Sequence, residues 1–153
     1  MHYIFQQLAK DLPNLRMLHV SISTKLFCIP KSIGIFSNVE TLELCFSQRM
    51  EFDALKVIAI LKGFPLLKKF YMMMPCPNDF EQGMLEPNEN VHELEHEHLK
   101  EVHLAEFYDT PNQINFSIYL IKHACALKEE CLYHPCHQAL QLYRHHIEQL
   151  LQL

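Results

Sequence analysis

Apolar and polar positions along the chain follow a pattern that returns four times. The copies start at residues 12, 36, 64 and 96, so the pattern repeats with periods of 24, 28 and 32 residues. In each copy the fourth, seventh and ninth residues are apolar, as Leu15, Leu18 and Val20 are in the first copy. A period of this length with this spacing indicates an internal repeat of leucine-rich character.

The second half of each copy predicts a short strand. In the first copy, Leu18 and Val20 point inward, whereas Met17, His19 and Ser21 point outward, because side chains alternate between the two faces of a strand. One such strand cannot bury its own apolar side, but stacked copies pair in parallel and share one core. The sequence therefore predicts an α/β leucine-rich-repeat solenoid of short parallel strands, with helices or irregular segments on the convex side and a C-terminal helix.

Two connections between strands predict helices. Residues 51–62 have helical apolar spacing, and Gly63 is expected to end that helix in the C′ position. A later helix is expected to begin with Thr110 as its cap, Pro111 in the first position and Gln113 completing a capping box. The apolar positions of the two helices are Phe52, Leu55, Ile58 and Ala59 in the first, and Ile114, Ile118, Ile121 and Cys125 in the second.

Composition narrows the class of protein. The chain has 153 residues, of which 49% are hydrophobic, which suits one domain with a substantial core. A formal charge of −5 argues against a general nucleic-acid binder.

No apolar run reaches the ~18 to 20 residues of a membrane span, and the first residues lack the features of a signal peptide. We therefore expect a cytoplasmic or nuclear protein whose six cysteines are reduced thiols, with Cys45 as a small packing residue after the second strand.

Two groups of residues resemble chemical sites. His92, Glu93 and His96 have the spacing of a zinc-binding H-E-x-x-H motif, which requires a stable helix and a third ligand. The surrounding sequence is a short, strongly charged segment, so we expect a solvated acidic connector there. The second group comprises Cys125, Cys131, His134, Cys136 and His137. It has no paired C-x-x-C spacing, and packing explains it better than metal binding. We assign no catalytic residue, metal or cofactor.

The outward strand positions are the candidates for partner binding. If the copies stack in register, the outward residues of adjacent strands form one concave surface. His19, Glu43, Tyr71 and His103 are its central candidates, and the alternative is that they are simply solvated. The neighbouring outward positions are Met17, Thr41, Lys69 and Glu101, together with Met73 as an adaptable apolar contact.

Several short motifs together resemble a known family. His98–Val102, Phe107–Tyr108 and Asn115–Lys128 resemble the FBD segment of plant F-box/leucine-rich-repeat proteins, and the copies at 12, 36 and 64 resemble the repeats that precede it. The resemblance implies the substrate-recognition part of a ubiquitin-ligase adaptor, a protein-interaction module that binds a client protein. Only eleven residues precede Leu12, so we expect binding to the ligase core only if an F-box is supplied elsewhere.

The resemblance also suggests how the chain is divided. Residues 1–95 are a leucine-rich-repeat segment with an acidic, histidine-rich connector near 76–95, residues 96–135 are the FBD-like last repeats, and residues 136–153 are an amphipathic helix. The last repeats include a weaker copy at 124–132, whose strand we expect to be frayed or shifted because Glu130 occupies an apolar position. Two alternatives to the adaptor remain: a metal-dependent hydrolase using His92, Glu93 and His96, and a truncated fragment without independent activity.

Overall fold

Each copy of the repeat ends in a strand at the predicted place. A computed structural model describes residues 3–22, 33–46, 54–74 and 95–133. The strands are β1 (Met17–Ile22), β2 (Thr41–Phe46), β3 (Lys69–Met73), β4 (Glu101–Ala105) and β5 (Glu129–Tyr133). Within the described ranges they form one parallel five-stranded sheet, in which the strands follow one another in sequence order. The predicted α/β leucine-rich-repeat fold is confirmed.

The register joins equivalent positions of the repeats. Leu18 lies beside Leu42, Leu42 beside Phe70, and Phe70 beside Val102, so the inward residues of successive strands form continuous apolar rows. The first position of each copy accepts a hydrogen bond from the backbone N–H of the fourth, as Phe36 does from Val39 and Phe64 does from Leu67. Each repeat therefore starts with the same tight turn, and its strand begins in register with the strands of its neighbours.

The fifth strand continues this register. Val102 lies beside Glu130, and the Lys128 N–H donates to the Lys100 carbonyl at 2.9 Å. The expectation of a frayed or shifted last strand is wrong, because the parallel ladder is made by main-chain groups that a polar side chain leaves unchanged.

Helical segments close the sheet's apolar side. A π-helical segment (Tyr3–Gln7) continues into α1 (Leu8–Asp11), a 3-10 turn (Ala54–Lys56) leads into α2 (Val57–Leu61), and α3 spans Pro111–His123. The predicted helix at 51–62 is confirmed over its described part, although Ala59 is exposed instead of packed. The buried residues of this segment are Ala54, Val57, Ile58, Ile60 and Leu61.

Gly63 occupies the predicted C′ position, because α2 ends at Leu61 with Lys62 as its C-cap. Its φ is not positive, so it does not end α2 in the left-handed conformation of a C′ glycine. A Cβ atom at this position would lie 2.5 Å from Ile33 Cγ2 and 2.8 Å from the Gly34 carbonyl oxygen. Glycine is therefore needed because two successive repeats approach each other closely here.

Helix α3 begins as predicted, with one change in its cap. The Thr110 hydroxyl accepts a hydrogen bond from the Gln113 N–H at 3.3 Å, and Pro111 occupies the first turn. The Gln113 side chain does not return this bond to Thr110. It accepts from the Tyr108 N–H at 2.8 Å and donates to the Glu106 carbonyl at 3.3 Å, which ties the helix to the preceding loop.

The face of α3 that enters the core is also displaced from the predicted one. The buried residues include Phe116, Ser117 and Leu120, whereas the predicted isoleucines are only half-buried. Cys125 lies beyond the end of the helix and is exposed. The row of side chains through which α3 packs on the core is therefore displaced by one residue from the row of isoleucines.

The core lies between the sheet and the helical segments. Phe36 and Phe64, both at the first repeat position, stack with ring centroids 4.6 Å apart. Phe70 of β3 meets Phe116 of α3 edge to face at 6.4 Å, which joins the sheet to the helix.

None of the described helices has the length and apolar character that a membrane span requires. The connector predicted near 76–95, apart from Glu95, and the predicted helix at 136–153 lie outside the described residues.

Candidate protein-binding surface

The outward positions form three parallel rows across β1 to β4. The middle row contains all four central candidates, with His19 beside Glu43, Glu43 beside Tyr71 and Tyr71 beside His103. The sequence-predicted candidates are therefore brought together on one face of the sheet. The flanking rows are Met17, Thr41, Lys69 and Glu101 on one side, and Ser21, Cys45, Met73 and Ala105 on the other.

A polar pair occupies the first half of the middle row. His19 Nδ1 lies 2.8 Å from Glu43 Oε2, and His19 Nε2 lies 3.2 Å from Ser21 Oγ. An ionised carboxylate only accepts, so Nδ1 donates to Glu43 and, in the neutral ring, Nε2 accepts from the Ser21 hydroxyl. Exposed pairs of this kind contribute about 0 to 1 kcal/mol to stability. The two contacts therefore fix the orientation of the imidazole more than they stabilise the fold.

An aromatic pair occupies the second half of the row. The rings of Tyr71 and His103 stack with centroids 4.6 Å apart and planes 10° from parallel, and both side chains are half-buried. Met73 follows on the same strand and is 38% exposed. Ordered aromatic side chains beside an exposed methionine provide contact area at a low cost in conformational entropy. This cluster of Tyr71, Met73 and His103 is the most suitable anchor on the surface.

Charges on this side of the sheet are paired with one another. Lys69 Nζ lies 2.7 Å from Glu101 Oε2 in the flanking row. At the entrance to the strands, Glu40 Oε1 lies 3.0 Å from Lys68 Nζ and 3.2 Å from Arg16 Nη1. The hydrogen bond from Lys68, together with the positive charges of Lys68 and Arg16, lowers the pKa of Glu40. The surface thus presents an aromatic pair with paired charges on one side of it, rather than a field of one sign.

Cys45 does not occupy the position predicted for it. It belongs to β2, which continues to Phe46, and its side chain is half-buried in an outward row. The prediction of a packing residue after the strand is wrong because the buried Phe46 extends the alternating pattern by one more inward position. Burial, and secondarily the Glu43 carboxylate, raises the pKa of the Cys45 thiol. The thiol therefore stays protonated at neutral pH and is a weak nucleophile.

His96 is a core residue. It occupies the first position of the fourth repeat, where Phe36 and Phe64 stand in the preceding ones, and is only 6% exposed. Its ring meets Tyr119 edge to face at 6.3 Å, and its backbone N–H donates to the His123 carbonyl at 2.7 Å. Burial, and secondarily the charge of His123, lowers the pKa of His96 to about 4. The expectation of a solvated segment is therefore wrong for this residue.

Most other residues of the two groups that resemble chemical sites lie outside the described part of the chain. His92 and Glu93 lie outside the described residues, as do His134, Cys136 and His137. Cys125 is exposed after α3, and Cys131 belongs to β5. The described ranges contain no group of three His, Cys, Asp or Glu residues placed to hold a metal ion.

The repeated strand, the in-register parallel sheet and the single apolar face together define a leucine-rich-repeat protein. The family model described as "At1g61320/AtMIF1, LRR domain" matches residues 1–149, and the chain belongs to this plant leucine-rich-repeat family. No curated protein and no solved structure matches the chain. Leucine-rich-repeat domains are in general protein-interaction modules, and the extended surfaces of such repeats are their binding surfaces.

Proposed function

We propose that this chain is a non-enzymatic interaction module that holds a client protein on the outward face of its sheet. The observation that carries the proposal is the Tyr71–His103 stack, which lies half-buried beside the exposed Met73. Binding hot spots are enriched in tyrosine and lie in ordered, central parts of an interface. The stack lies in the middle row, between the Lys69–Glu101 ion pair and the outward row that contains Met73.

In this proposal, the polar pair of His19 and Glu43 orients the bound client. Glu43 lies beside Tyr71 in the strand register, and His19 Nδ1 donates to one of the Glu43 carboxylate oxygens at 2.8 Å. A client that contacts the aromatic cluster would then meet a fixed hydrogen-bonding group on the neighbouring strand. Fixed polar groups at an interface determine register and partner choice more than affinity.

We further propose, from the FBD-like motifs, that this binding serves ubiquitin transfer. In that arrangement the sheet face recruits the client and an F-box, supplied elsewhere, recruits the ligase core. The chain would then act in the cytoplasm or nucleus. Its expected behaviour in a binding assay is capture of a client by the residues described here, and binding of the ligase core only when an F-box partner or segment is added.

Affinity capture from a plant extract tests the client surface. The bait is the full chain, compared with the double variant Glu43→Lys and Tyr71→Ala. Glu97→Lys is the matched control, because Glu97 is an exposed residue of the turn before β4. We expect the double variant to lose the captured client while its melting temperature stays within a few degrees of the wild-type value. Unchanged capture by the folded double variant would contradict the proposal.

A further inference from the structure

Glu43 keeps an accessible carboxylate oxygen on the outward face. Its Oε2 atom accepts from His19 Nδ1 at 2.8 Å, and the neutral imidazole described above supplies this hydrogen bond without a positive charge. The Oε1 atom has no hydrogen-bond partner among the described residues, and the side chain is 29% exposed. The carboxylate can therefore accept a further hydrogen bond from outside the sheet.

The cations described near this carboxylate are bound to other acidic groups. Lys69, in the flanking row of β3, lies with its Nζ atom 2.7 Å from Glu101 Oε2 on β4. Since β2 and β4 lie on opposite sides of β3, this ion pair forms on the side that faces away from Glu43. Arg16 and Lys68 share another carboxylate at the entrance to the strands. Within the described ranges, no lysine or arginine forms an ion pair with Glu43.

An aromatic ring borders the same carboxylate. Tyr71 lies beside Glu43 in the strand register, and His103 stacks on the tyrosine ring from β4. The second face of this ring is therefore directed toward β2, because β2 and β4 flank β3. His19 bonds to Glu43 from β1, on the far side of β2. The histidine and the tyrosine thus approach the carboxylate from opposite directions, and the ring face and the carboxylate border one another.

We propose that Tyr71 and Glu43 bind an arginine side chain of the client, with the guanidinium against the tyrosine ring and an N–H group donated to Glu43 Oε1. This inference rests on the proposed function and specifies the chemistry of the client. The negative face of an aromatic ring attracts a cation. A planar guanidinium stacks on such a ring and donates to a carboxylate in a fixed geometry, whereas an ammonium is a strongly hydrated point charge. Arginine therefore fits this site better than lysine.

Met73 determines which residue should lie near the arginine. It is the next outward residue of β3 after Tyr71, about 6.6 Å further along the strand. Alternate residues of an extended client segment have the same spacing on one face. An apolar residue two positions from the arginine would therefore contact the exposed Met73 side chain. The expected client segment is extended and has an apolar residue two positions before or after its arginine.

Two synthetic peptides test this site. The first is acetyl-Leu-Ser-Arg-Ser-Leu-amide, which has leucine two positions away on both sides of the arginine. The second has citrulline in place of arginine, which keeps the shape and removes the charge. Binding to the full chain is followed by the chemical shifts of its backbone amides. Glu43→Gln removes the proposed acceptor charge, and Glu97→Gln is the matched control, because it removes the same charge from an exposed turn residue.

We expect the wild-type chain to bind the arginine peptide about fivefold to tenfold more tightly than the citrulline peptide. The shifts should be largest around Glu43 and Tyr71. The preference for arginine should disappear in Glu43→Gln and in Tyr71→Ala, and should remain in Glu97→Gln. Equal binding of the two peptides by the wild type, no binding of either at millimolar concentration, or equal weakening of both peptides in a folded Glu43→Gln variant would each overturn the proposal.

The peptide experiment and the client capture can fail separately. If capture depends on Glu43 and Tyr71 while the wild type binds both peptides equally, the arginine proposal is wrong and the interaction module stands. If the wild type prefers the arginine peptide while capture does not depend on these residues, the arginine site stands and the proposed client surface is wrong.

Discussion

Adjacent residues of the same strands build two very different surfaces. In β2 and β3 the inward residues Leu42, Leu44, Phe70 and Met72 are at most 1% exposed and belong to one apolar core. The outward residues between them form polar and aromatic pairs across the strands, such as His19 with Glu43 and Tyr71 with His103. The strand alternation thus separates the side chains that form the core from those that we propose to bind a client, and each face can be changed without direct loss of contacts on the other.

Truncation of neighbouring residues on opposite faces should give the largest difference in stability. Phe70→Ala removes a fully buried ring that contacts Phe116, and we expect it to lower the free energy of unfolding by about 3 to 5 kcal/mol. Tyr71→Ala removes a half-buried ring and should cost about 1 kcal/mol or less. Urea denaturation of the two variants measures the difference. Similar losses in both would contradict the division between the faces.

Stability should depend on pH through His96, because this histidine is buried in the core. The folded-state pKa of His96, about 4, lies below its value of 6.5 in the unfolded chain, so the unfolded state binds the extra proton. The free energy of unfolding therefore keeps its full value above pH 6.5 and decreases as the pH falls toward 4, because the unfolded chain takes up a proton that the folded chain does not. The decrease is about 3 kcal/mol at most. Denaturation at several pH values measures this loss.

His96→Phe is the matched variant for the pH experiment, because phenylalanine stands at this position in the second and third repeats. It also removes the buried Nε2 atom, which has no hydrogen-bond partner among the described residues. We expect the variant to lose less stability than the wild type between pH 7 and pH 4. Parallel pH curves for the two proteins would show that His96 does not titrate in the way described.

Another variant tests the close approach of successive repeats behind the sheet. Gly63→Ala would place a Cβ atom 2.8 Å from the Gly34 carbonyl oxygen, so the backbone must shift. We expect a loss of about 1 to 3 kcal/mol in the free energy of unfolding. Ala59→Gly is a useful comparison, since that exposed helical position should cost only about 1 kcal/mol through helix propensity. A stabilising Gly63→Ala change would contradict the contact.

The smallest expected effect concerns thiol reactivity on the outward face. The Cys45 thiol is half-buried and has a raised pKa, whereas Cys125 is exposed. We expect iodoacetamide to modify Cys125 several-fold faster than Cys45 at pH 7.5, because the reactive species is the accessible thiolate. Peptide mass spectrometry after short labelling gives both rates. Faster modification of Cys45 would show that the outward row is more open than described.

Much of the fold could be predicted because one local rule repeats. The spacing of apolar residues placed four strands at their observed positions, and the same rule placed His19, Glu43, Tyr71 and His103 on one face. Alternation along a strand depends only on backbone geometry, so the orientation of these residues follows from the register. Their pairing required the structure, because it depends on side-chain conformations.

The errors arose where tertiary contacts override a local signal. Gly63 has the sequence context of a helix C-terminus, but the approach of Gly34 and Ile33 determines why it is glycine. His96 belongs to a metal-like motif by spacing, yet it fills the first repeat position in the core. That equivalence was visible in the sequence, since the fourth copy starts at residue 96. Aligning the repeats by their first position would have predicted its burial.

We propose above that the outward face binds a protein client through the Tyr71–His103 stack. Isothermal titration of the captured client against wild-type chain, Tyr71→Ala and Glu97→Lys tests it most directly, with melting temperatures measured in parallel. We expect Tyr71→Ala to raise the dissociation constant by about 30-fold, which corresponds to loss of a hot spot of about 2 kcal/mol. Glu97→Lys should leave it within about twofold. Equal dissociation constants for the wild type and a folded Tyr71→Ala variant would contradict the claim.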